Sequence, residues 1–144
     1  MTIRPRAVRA LRDVRERLRD AAAATHATAS AAHEASQAAL VDEQDELERH
    51  VSEAATELSN ARTVHDLERF DGDTGTHRIA IADAATKLDE ADLAKQATAQ
   101  QLRESTRKLR SAEKISEMVQ STRDRAAAKA EQRANDDMAG RRVR

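Results

Sequence analysis

The chain has 144 residues, of which 35% are charged, 39% hydrophobic and 1% aromatic; it has one phenylalanine, no tryptophan, tyrosine or cysteine, and a net charge of −1. Without cysteine there is no disulfide framework and no thiol chemistry. A balanced charge gives no bulk attraction to nucleic acid or to an anionic membrane. Much of the apolar content is alanine, which buries little area at about 25 cal/mol per Å². Such a chain needs length or a partner for stability.

The N-terminal residues carry no apolar signal core, and no apolar run approaches the roughly 18 residues of a membrane span. Pro5, the only proline, suits the first turn of a helix, where its missing N–H costs nothing. From there Leu11, Val14, Leu18, Ala21, Thr25, Thr28, Ala32 and Ala35 recur at steps of three and four. The spacing resumes at Leu40 and runs through Gln44, Leu47, Val51, Ala54, Leu58, Ala61 and His65. The break between Ala35 and Leu40 predicts a phase slip that changes the supercoil locally.

Two of the three glycines lie in Asp71-Gly72-Asp73-Thr74-Gly75, which predicts a turn over 70–77. Beyond it Ile81, Leu88, Lys95, Leu102 and Leu109 share one heptad position. Ala84, Ala91, Thr98, Ser105, Ala112, Val119 and Ala126 share another. The reading is all-α: a single antiparallel two-helix coiled-coil hairpin over 1–144. Helix 1 is expected over about 5–69, helix 2 over about 78–137 and a basic tail over 138–144. Arms of roughly 65 residues would each span about 100 Å. A rod without a cavity has few ways to do chemistry, so the expected role is mechanical or adaptor-like.

Charge is distributed unevenly. Residues 1–20 hold seven arginines against three acids, net +4, and residues 103–144 hold twelve basic side chains against seven acids, net +5. Residues 42–95 hold fifteen acids against six basic side chains, net −9. Folding at the glycine cluster would bring both basic ends together and give the hairpin a basic terminal end and an acidic loop end. That asymmetry can orient it on a charged partner.

The remaining constellations point away from catalysis. His26 and His33 are seven apart, His50, His65 and His77 are scattered, and no two histidines stand at i,i+4 spacing, so no metal site is expected. The 71–82 segment lacks the sixth-position glycine and twelfth-position glutamate of a calcium loop. No glycine-rich phosphate cradle exists, and two helices cannot build an oxyanion hole. No catalytic residue and no cofactor are expected. Arginines alternate with Asp13, Glu16, Asp20, Asp124 and Glu131, and aromatic stacking platforms are missing, so no nucleic-acid binding is expected.

The second arm carries Leu109-Arg110-Ser111-Ala112-Glu113-Lys114-Ile115, then Arg123-Asp124-Arg125-Ala126-Ala127-Ala128-Lys129-Ala130-Glu131-Gln132-Arg133. With Leu11-Arg12 and Val14-Arg15-Glu16-Arg17 in the opening helix, this resembles the FliJ/YscO family of type III export stalk proteins. The likeness extends over nearly the whole chain. It implies a cytoplasmic stalk and escort protein, peripheral to an inner-membrane export machine. In that family the paired ends sit in a hexameric export ATPase, and the other part of the hairpin reaches toward the export gate protein; export chaperones are further implied partners. The residues expected to meet the ATPase ring are Arg4, Arg6, Arg9, Arg12, Arg123 and Arg125, because guanidinium groups form forked pairs with carboxylates. The competing reading is a structural coiled coil or adaptor with no export role.

Overall fold

The computed structural model describes residues 4–60 and 63–142. Helix α1 spans Pro5–Leu58 and helix α2 spans Val64–Arg142, with no strand among the described residues. The fold is all-α, an antiparallel helical hairpin. Pro5 opens α1 as expected, and the Arg4 carbonyl accepts hydrogen bonds from the Ala7 and Val8 amides at 2.9 and 3.3 Å. Exposed threonines are accommodated by returning their hydroxyls to the carbonyl four residues back, as in Thr28 to Ala24 and Thr86 to Ala82.

The turn does not lie at the glycine cluster. The helices are 54 and 79 residues long, not near-equal, and Gly72 and Gly75 are both inside α2. Neither glycine has a positive φ. Two glycines cost a helix about 1 kcal/mol each, and two local effects outweigh that cost. The first is the capping chemistry at 58–66. Ser59 Oγ donates to the Thr56 carbonyl at 2.6 Å, and the Asn60 amide donates to the Glu57 carbonyl at 2.9 Å, closing the last turn of α1. At the start of α2 the Thr63 hydroxyl accepts from the Asp66 amide at 3.3 Å. The Asp66 carboxylate in return accepts from the Thr63 amide at 3.2 Å and its hydroxyl at 2.7 Å. This is a capping box with aspartate in the reciprocal position. The second effect is packing: Phe70 and Gly75 are half-buried and Thr74 is buried, which a loop there would forfeit. At the other end α2 continues through Arg142 rather than giving way at 138.

The chain divides into two compact units. One contains the described residues up to Ala23 together with those from Gln101 onward; the other is Ala24–Gln100. In the second unit α1 turns inward His26, Ala29, His33, Ser36, Leu40, Glu43, Leu47, His50 and Ala54. The steps alternate four and three without a break, so no phase slip follows Ala35. Thr25, Thr28, Ala32, Ala35, Gln44 and Val51 are exposed; through Ala35 the sequence-read stripe ran one residue ahead of the true seam. The facing stripe of α2 is Phe70, Thr74, His77, Ile81, Ala84, Leu88, Ala91, Lys95 and Thr98, which matches the heptads read from the sequence at every position from 81 onward.

The seam of this unit is partly polar. His26 Nδ1 and Thr98 Oγ1 lie 3.1 Å apart, and His33 Nε2 and Asp92 Oδ1 3.6 Å apart, both across the two helices. The His50 ring stacks on Phe70 with centroids 5.5 Å apart and tilts against His77 at 5.0 Å.

In the first unit Val8, Arg15, Arg19 and Ala22 of α1 are buried or half-buried, as are Leu102, Ser105, Leu109, Ala112, Ser116 and Val119 of α2. The arginine stems stand in for apolar side chains here. Every described side chain from Gln120 to Ala139 is exposed, Ala126 included.

Candidate partner-binding surface

The six arginines expected to form a partner surface are all exposed, and all belong to the first unit. Arg4 precedes α1, and Arg6, Arg9 and Arg12 follow on its first two turns. Arg123 and Arg125 lie beyond Val119, the last half-buried residue of α2. Arg12 sits 3.5 Å from Asp13 and shares a shallow concavity with Glu16, Glu113, Ser116 and Glu117. It is the one arginine of the six with an acidic partner among the described residues.

A second feature of this unit is missed by the sequence reading. Leu11, Val14 and Leu18, assigned to the seam by spacing, are 39%, 53% and 51% exposed. They form an apolar stripe beside the seam, not in it. Leu11 and Leu18 directly precede the seam-level positions 12 and 19, and on α2 Ile115 directly precedes Ser116. In an antiparallel pair these flanking positions of both helices lie on the same side of the seam. Ile115 and Met118 are also exposed. One flank of the unit is therefore apolar, while Glu16 and Glu113 mark the other. Residues 8–19 carry two overlapping stripes at three- and four-residue spacing, and the more apolar of them is not the core.

The second unit holds the histidines and most of the acids. Glu43, Glu46 and His77 each offer a ligand atom within 4.8 Å of the others, a grouping that histidine spacing within either helix does not reveal. A surface concavity nearby is lined by His50, Glu53, Glu57, Asp66, Phe70 and Asp73, among others. No helix is long and apolar enough to cross a membrane.

Paired helices with an open, polar surface, an exposed arginine set and an apolar flank make a coiled-coil scaffold. Among the described residues its concavities are open to the surface. The family model described as flagellar FliJ protein matches residues 6–144. The chain belongs to that family, a type III export stalk family, and its role is export-related. No curated protein and no solved structure gives a significant match to the chain.

Proposed function

We propose that this protein is the central stalk and escort of a flagellar protein export apparatus, and that it is not an enzyme. It docks the ends of its two helices into a hexameric export ATPase and links that ring to the export gate protein, with export chaperones as further partners. It works in the cytoplasm, at the periphery of the membrane-embedded machine. The observation that carries this reading is the exposed arginine set of the first unit: Arg4, Arg6, Arg9, Arg12, Arg123 and Arg125. A ring pore lined with carboxylates would meet these side chains in forked pairs. The neighbouring Leu11, Val14, Leu18, Ile115 and Met118 supply an apolar centre of the kind that carries binding energy, with arginines around it.

The test is binding to the purified export ATPase and stimulation of its turnover. Replacing Arg6, Arg9 and Arg12 together by Glu is expected to slow association and abolish stimulation while the helical circular dichroism signal persists. Charges at a rim act mainly on association rate and salt dependence. Replacing Asp71 and Asp73 by Lys is expected to leave ring binding intact. If the arginine variant binds normally and the aspartate variant does not, the proposed orientation is wrong. If the wild-type protein binds no such ATPase, the structural-adaptor reading replaces it.

A further inference from the structure

We propose that Glu43, Glu46 and His77 form a binding site for a divalent transition-metal ion of the zinc type. The site joins α1 to α2 within the Ala24–Gln100 unit and is independent of the arginine surface. Glu43 and Glu46 lie one turn apart on α1, and His77 approaches from α2; one ligand atom of each falls within 4.8 Å of the other two. Around a tetrahedral zinc ion with bonds of about 2.1 Å, ligand atoms stand roughly 3.4 Å apart. Small rotations of two flexible glutamate side chains close that gap.

Two further observations point to a cation here. Glu43 occupies a seam position and is half-buried, and among the described residues no ion pair or hydrogen bond holds its carboxylate. Lys87 lines the same groove without reaching ion-pair distance. A carboxylate at the seam with no protein partner is available to a cation. The second observation is His50. Its ring lies 5.0 Å from that of His77, and its Nε2 is buried with no hydrogen-bond partner. Two carboxylates and the His77 imidazole are a donor set that suits zinc, and the His50 nitrogen is an unpartnered polar atom next to it. Calcium and magnesium prefer six or more oxygen ligands, and this site offers two carboxylates. The surrounding α1 segment adds Asp42, Asp45, Glu48 and Glu53, a field that concentrates cations.

The test is calorimetric titration of the full chain, first stripped with a chelator, with Zn²⁺, and with Co²⁺ as a spectroscopic probe of tetrahedral ligation. One ion per chain is expected. Affinity should fall at least about tenfold in His77→Ala and in Glu43→Gln, since even indirect supports of a metal site carry effects of about 10- to 100-fold. His65→Ala, an exposed histidine outside the cluster, should bind as the wild type does. The isosteric Glu43→Gln decides the matter if His77→Ala loses helical signal. Absence of saturable Zn²⁺ binding by the wild type overturns the site. So does undiminished binding by Glu43→Gln.

Discussion

Leu109 and Leu18 belong to the same unit, are the same residue type and stand on opposite sides of the seam assignment. Leu109 is 8% exposed and Leu18 is 51% exposed. Truncating a buried leucine to alanine costs about 2–5 kcal/mol, combining lost transfer energy with the cavity left behind. A two-helix seam can relax into the gap, so about 2–3 kcal/mol is expected for Leu109→Ala. Leu18 has surrendered about half its surface. Half of the roughly 1.5–3 kcal/mol for full burial of such a side chain, with no cavity term, gives about 1 kcal/mol for Leu18→Ala. The helix-propensity change is the same in both variants and cancels. A gap of about 1–2 kcal/mol corresponds to roughly 2–8 °C in melting temperature for a chain of this size. Thermal unfolding of both full-length variants, followed by circular dichroism, reads it directly. If Leu18→Ala melts as low as Leu109→Ala or lower, the seam runs through Leu11, Val14 and Leu18 and the register described above is wrong.

Gly72→Ala and Gly75→Ala are each expected to stabilise the protein by about 0.5–1 kcal/mol, because both sites are helical and an added Cβ meets nothing within 4 Å. Destabilisation of either variant in urea unfolding would return the turn to 71–75. Thr63→Ala removes the hydroxyl side of the α2 capping box and is expected to cost about 1 kcal/mol. The same loss should appear as faster amide hydrogen exchange in the first turn of α2, and unchanged exchange there would mean the cap is not formed in solution.

The sequence made the second helix legible and the first one only partly so. In α2 the strong apolar residues Ile81, Leu88, Leu102 and Leu109 sit on the seam itself, so the heptad could be read at once and the structure agrees with it through Val119. In α1 Leu11, Val14 and Leu18 lie beside the seam, and the seam residues include Val8, Arg15, Arg19, His26, Ser36, Glu43 and His50. Reading for apolar spacing therefore chose the neighbouring stripe, and an apparent slip was needed to rejoin the true phase at Leu40. The turn was missed for a related reason. Glycine is the more conspicuous break in the sequence, whereas Ser59, Asn60, Thr63 and Asp66 end one helix and start the next through side-chain hydrogen bonds that each partner alone does not announce. The arginines of the candidate surface were legible as charge. The apolar flank beside them carries the same three- and four-residue spacing as a core, so spacing alone does not separate the two.

A seam made this way trades adhesion for specification. Alanine at 29, 54, 84, 91 and 112 brings little transfer energy, and among the described residues no large side chain is fully buried. Uniform small residues would tolerate a shift of one helix along the other by a heptad. The polar pairs do not: moving α2 by seven residues separates His26 from Thr98, His33 from Asp92, and the His50 ring from Phe70 and His77. A polar residue at a seam position fixes register at a cost in stability, and this unit places three such histidines seven and seventeen residues apart along α1. Replacing His26 and His33 together by Leu should therefore raise the melting temperature while loosening register. Disulfide trapping between cysteines introduced on the two helices would show it: the wild-type background should cross-link at one pairing, and the leucine background at that pairing and at those one heptad away. A single pairing in both backgrounds would assign register to the apolar residues of α2 instead.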